Sequence, residues 1–166
     1  MRNRMSSSIG SMVKAIAVLL ATLSLHAASV ASENQDQTEA ESARGKGSAQ
    51  IKSMSRGEAS PVDDLVAEVE ELVPGFRRLA VDFAFGQIRS RPGLDLKQRE
   101  IATLAALTVL GTEKELRLHV VTALNVGLTK EQIVEVLLQQ VVYAGFPRAI
   151  DALLVAKDVF EERGLL

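Results

Sequence analysis

Acid–base chemistry in this chain has few residue types to draw on. Cysteine and tryptophan are absent, and there are two histidines, His26 and His119. Without a thiol there is no disulfide, thiolate zinc site, iron–sulfur ligand or thiol nucleophile. Carboxylate, imidazole, guanidinium, hydroxyl and backbone dipoles remain. His26 falls in an N-terminal leader, so His119 is the histidine of the folded part. Imidazole is the side chain best suited to exchange a proton near neutral pH. Glu115 stands one helical turn before it, on a face shared with Leu116 and Ala123. Glu100 opens the apolar segment IATLAALTVL, where a negative charge favours a helix N-terminus.

Each of these residues also has a plainer explanation. A lone histidine on an apolar seam can be a core residue with satisfied hydrogen bonds. Glu100 can pair with Arg99 or Arg91, and Thr112 with Glu115 reads as a helix-capping box. One histidine among carboxylates is a poor metal-ligand set, so no metal site is expected. Neither a glycine-rich phosphate loop nor a serine nucleophile elbow occurs. If the helices around Gly111 form an antiparallel hairpin, Glu100 lies far from the turn. Spacing alone therefore leaves open whether it meets His119 in one chain or across subunits.

The elements that must position these residues read as helices throughout, with no sustained period-2 alternation. Pro61 to Leu72 and Phe76 to Ile88 form two, separated by Pro74-Gly75 and closed by Arg91-Pro92-Gly93. Three further starts carry capping-box pairs: Asp95 with Gln98, Thr112 with Glu115, and Thr129 with Gln132. Gly111, Gly127, Gly145 and Gly164 sit where left-handed C-terminal caps want glycine, and Pro147 suits the first turn of the last helix. The segment 101–110 is apolar nearly all round and needs burial on most sides. With Val134, Leu137, Val141, Leu153 and Leu154, it points to a homo-oligomer. The expected architecture is a compact all-α domain around a central helical hairpin, oligomerising through apolar helices.

Residues 61–166 make up that domain. The chain has 166 residues, 47% apolar and 24% charged, with a formal charge of −2. That balance suits one domain and offers no basic field for nucleic acid. Ahead of it, Arg2, Arg4 and Lys14 precede the apolar run AIAVLLATLSL and the small residues Ser29-Val30-Ala31. This is the order of a secretory signal peptide, 1–31, cleaved near Ala31. The apolar run is too short to span a bilayer, so export to the periplasm without stable membrane insertion is expected. Residues 32–60, rich in Ser, Glu, Gln, Ala and Gly, read as a flexible linker, with Ile51 and Met54 docking on the domain.

The string FAFGQIRSRPGLDLKQREIATLAALTVLG, followed by ELRLH, ALNVG and YAGFPRA in order, resembles the carboxymuconolactone decarboxylase family over about 83–164. The resemblance implies an all-α fold assembled as trimers or hexamers. It also implies a lyase that decarboxylates a small carboxylated lactone without metal or organic cofactor. His119 would be the acid or electrostatic stabiliser, and Glu100 would orient it. Arg91 and Arg99 would clamp a carboxylate, and Tyr143 and Phe146 would line the pocket. The superfamily includes thiol peroxidases with a Glu, a Cys pair and two His residues. Here Glu100 and His119 match the Glu and the last His. Thr112 and Glu115 take the cysteine places and Lys114 that of the other His, so peroxidase activity is not expected. The alternative is a non-catalytic exported oligomer that binds a small hydrophobic acid.

Overall fold

The computed structural model describes residues 3–55 and 61–166. No strand occurs among them, in keeping with the all-α reading. The elements are α1 (Asn3–Ser55), α2 (Pro61–Leu72), a π-helix (Arg78–Arg89), α3 (Leu96–Leu110), α4 (Glu113–Asn125), α5 (Lys130–Gln139) and α6 (Val141–Glu162). Met1–Arg2 of the expected leader and 56–60 of the expected linker lie outside the described residues. The chain divides into two units, the second beginning at Ala43. In the first, Leu23, Leu25 and Val30 on α1 are exposed. Among the described residues no helix is long and apolar enough to cross a membrane.

The unit Ala43–Leu166 holds two apolar clusters. The larger is built by α3 to α6 around Leu104, Val120, Ile133, Leu137, Ala156 and Val159, each with almost no exposed surface. The smaller joins Ile51 and Met54 to Val62, Val66, Val81 and Phe85. Residues 43–55 are therefore part of the folded body, where composition suggests a linker. Ile51 and Met54 do dock, as expected, but on a continuous helix. The physical reason is a close backbone approach. A Cβ on Gly86 would lie 2.0 Å from the Ala43 carbonyl oxygen, and one on Gly47 would lie 2.2 Å from that of Val81. Two side-chain-free positions let α1 and the π-helix touch backbone to backbone, which composition does not reveal.

Local punctuation behaves largely as the sequence requires. Asp95 accepts from the Gln98 N–H at 2.8 Å and its own N–H donates to Gln98 Oε1 at 2.9 Å. Thr129 and Gln132 form the same reciprocal pair at 3.2 and 3.0 Å. Gly145, at φ 80° and ψ 167°, breaks α6 just before Pro147. The third expected box is absent: Thr112 makes no capping bond and its hydroxyl is buried without a partner. Directly after the left-handed Gly111, its ψ is 87°, against 173° at Asp95 and 160° at Thr129. The tight turn rotates the hydroxyl off the helix axis.

α3 is buried on one side only by its own chain. Glu100, Leu104 and Thr108 face inward, whereas Ile101, Val109 and Leu110 are exposed. Of the residues expected to face a neighbour, Leu137 is instead core, and Val134 and Leu153 pack partly against that core. The exposed apolar stripe runs along α6 through Val142, Phe146, Ile150 and Leu154.

Candidate active site

Glu100 is wholly buried on α3, with no exposed surface. A carboxylate in that position needs partners for its charge, and two converge on it. Arg89, at the end of the π-helix, donates from Nη2 to Glu100 Oε1. His119, in the middle of α4, lies with Nδ1 2.8 Å from Glu100 Oε2. An ionised carboxylate only accepts hydrogen bonds, so the proton of this bond sits on Nδ1. That fixes the neutral tautomer and leaves Nε2 as the ring nitrogen able to exchange a proton with a ligand. Glu100 and His119 thus meet within one chain.

The guanidinium is itself fixed. Arg89 Nη1 donates to Thr103 Oγ1 at 3.2 Å, and the Thr103 hydroxyl donates to the Arg99 carbonyl at 2.8 Å. The cation also stands 5.4 Å from the centre of the Phe85 ring, one turn back. Both Arg89 and His119 are mostly covered, with side chains 15% and 16% exposed. Cation, carboxylate and imidazole form a preset relay in which each side chain holds the next.

His119 borders a cavity of about 300 Å³. α2 contributes Val62, Leu65, Val66 and Val69 to its walls, the segment 76–85 adds Phe76, Ala80 and Phe85, and α4 adds Leu118. Its polar lining residues are His119 and Glu115. An apolar chamber of this size with a few polar groups suits a small organic molecule. A larger depression of about 490 Å³ is lined by Arg44, Arg77, Arg78, Glu70 and Asp82 among others. There Arg44 faces Asp82 at 3.5 Å and Arg77 faces Asp63 at 2.8 Å, so most of its charge is matched internally.

The other expected site residues lie elsewhere. Arg91 is exposed, and Arg99 donates to the Arg91 backbone carbonyl at the turn before α3. Tyr143 and Phe146 are 73% and 69% exposed on α6. None of the four lines the cavity. Arg89 was not among the expected residues, although a signal for it exists. A buried glutamate needs a cation for its charge, and Arg89 and Arg91 both stand shortly before α3.

Comparison with known proteins assigns the chain to a family. The model of the carboxymuconolactone decarboxylase family matches residues 74–158, which include Arg89, Glu100, Glu115 and His119. A 4-carboxymuconolactone decarboxylase of Acinetobacter baylyi is 39% identical over 90 residues, covering 54% of this chain and 67% of that protein. A nitrosuccinic acid decarboxylase of Metarhizium robertsii is 37% identical over 89 residues, covering 54% of this chain and 62% of that protein. A 15.0 kDa protein of Paracoccus denitrificans is 38% identical over 96 residues, covering 57% and 72% of the two chains. The chain belongs to the carboxymuconolactone decarboxylase family.

Proposed function

We propose that this protein is a carboxy-lyase that removes carbon dioxide from a small carboxylated, lactone-like compound without metal or organic cofactor. The observation that carries this reading is the Arg89–Glu100–His119 relay at the wall of an apolar cavity. Two relatives that bear decarboxylase names support it.

The chemistry follows from the parts. The bond between the substrate carboxylate and its neighbouring carbon breaks, carbon dioxide leaves, and the electron pair delocalises into the unsaturated lactone. A charged carboxylate becomes neutral carbon dioxide in this step, which walls such as Val66, Val69 and Phe76 favour over water. His119, first protonated at Nε2 by solvent, gives that proton to the carbanionic carbon. The imidazolium that donates it is stabilised by Glu100, whose own charge Arg89 balances. Solvent returns the proton to Nε2.

Two further proposals accompany the activity. The apolar stripe of α6 and the exposed end of α3 support assembly as a homotrimer or homohexamer. The order of basic residues, apolar run and small residues before Ser32 supports export to the periplasm with cleavage near Ala31. Incubating the protein with a panel of unsaturated lactone acids and measuring carbon dioxide release tests the activity. Release that falls on Glu100→Gln substitution is the expected result. No release from any member of the panel would overturn it.

A further inference from the structure

The depression of about 490 Å³ is a feature to which the decarboxylase reading gives no role. Arg44 and Ser48 reach it from α1, Glu70 from α2, and Arg77, Arg78 and Asp82 from the start of the π-helix and the residue before it. Arg44, Ser48 and Glu70 precede the family match at 74–158, so the docking of α1 at Gly47 and Gly86 completes walls that lie partly outside it. Two of the charges here are already engaged. Glu70 holds the Gly75 and Arg77 N–H groups, and Arg77 pairs with Asp63. Arg78, by contrast, is exposed and makes no hydrogen bond or ion pair among the described residues. Asp82 is only 6% exposed and accepts no hydrogen bond among them. Its Oδ2 is sealed beside Arg44 Nε at 3.5 Å, and its Oδ1, also unbonded, is the oxygen that a ligand can reach.

A nearly buried carboxylate without a donor is costly, because its lost hydration is not replaced. A donor brought by a ligand replaces it. The depression thus presents an open guanidinium and a donor-starved carboxylate, four residues apart on the π-helix. A lone anion would meet Asp82 and Glu70, and a lone cation would meet Arg44 and Arg78. A molecule of both signs satisfies both groups: its carboxylate pairs with Arg78 and its ammonium donates to Asp82 Oδ1. Val81 is the apolar side chain of the lining and the others are polar, which suits a hydrophilic ligand. We infer that this depression is a binding site for a small zwitterion of the α-amino acid class. The inference is independent of the decarboxylase reading.

Calorimetric titration of the full chain at neutral pH with three probes tests it: L-glutamine, glutaramate and 4-aminobutanamide. Glutaramate is glutamine without its ammonium, and 4-aminobutanamide is glutamine without its carboxylate, so neither adds bulk. L-Glutamine should bind at least about tenfold tighter than either, the size of one hydrogen bond to a charged group. Arg78→Gln should weaken L-glutamine by about the same factor without moving the melting temperature, since Arg78 is exposed. Asp82→Asn should weaken L-glutamine yet strengthen glutaramate, because it removes a donor-seeking charge that repels a bare anion. A damaged fold cannot produce those opposite signs. Glutaramate binding as tightly as L-glutamine would reveal a plain anion site and overturn the inference. Equal binding of 4-aminobutanamide, undiminished binding by Arg78→Gln, or no binding of any probe would overturn it as well.

Discussion

Glu100 and Arg89 form a buried ion pair. The carboxylate has no exposed surface and the guanidinium little, so neither partner can turn to water if the other is lost. Removing one member of such a pair costs about 3–5 kcal/mol, because it leaves an uncompensated buried charge. Arg89→Met should therefore lose stability of that order in urea denaturation, and Arg89→Met combined with Glu100→Leu should recover most of it. A loss under about 1 kcal/mol for the single variant would show that the pair does not support the fold. At this scale the sequence is half legible. Glu100 and His119 stand out because few other groups could do acid–base work. Arg89 does not, because its role follows from the burial of a residue on another helix. Arg91, two positions on, carries the same guanidinium into solvent.

Helix boundaries were readable wherever one residue and its near neighbours decide them. Asp95, Thr129 and Pro147 act through local geometry, and each does what its type predicts. Thr112 shows the limit, since the preceding left-handed Gly111 sets its orientation. Thr129→Ala should cost about 0.5–2 kcal/mol as a lost cap, whereas Thr112→Ala should cost nothing, since its hydroxyl holds nothing. Equal losses from the two variants in thermal unfolding would contradict this contrast. The π-helix and the docking of 43–55 were not legible, because both depend on tertiary approach at Gly47 and Gly86. Before the π-helix, the Glu70 side chain accepts from the Gly75 and Arg77 N–H groups at 2.8 and 2.6 Å. These backbone bonds, Arg77's first, hold its pKa below the ordinary carboxylate value. The carboxylate thus stabilises the fold above its unfolded pKa, and that contribution is lost as pH falls through the lower, folded value. The melting-temperature gap between wild type and Glu70→Gln should be widest at neutral pH and close in acid. A gap that is constant or widens in acid would refute the capping role.

At the scale of the whole molecule, several large apolar side chains are exposed among the described residues. Val142, Phe146, Ile150 and Leu154 follow one another at four-residue spacing along α6, with Val109 and Leu110 exposed at the end of α3. Exposed apolar patches on soluble proteins mark contact surfaces. Light scattering at micromolar concentration should therefore give a trimer or hexamer, and a stable monomer would contradict the assembly. The expectation of a neighbour rests on the composition of 101–110, which is apolar nearly all round. Which apolar residues stay exposed could not be read from composition, because the packing of α5 and α6 draws Leu137 inward and leaves Val142 and Phe146 out.

The central claim is that His119, held by Glu100, gives the proton that completes decarboxylation. Its most direct test is carbon dioxide release from an accepted lactone acid by wild type and by His119→Gln, with assembly and melting temperature measured in parallel. A positioned acid contributes roughly 10²–10⁴-fold, so His119→Gln should lose turnover by that factor while keeping its fold and its oligomeric state. Turnover within a few-fold of wild type in a well-folded His119→Gln protein would contradict the account.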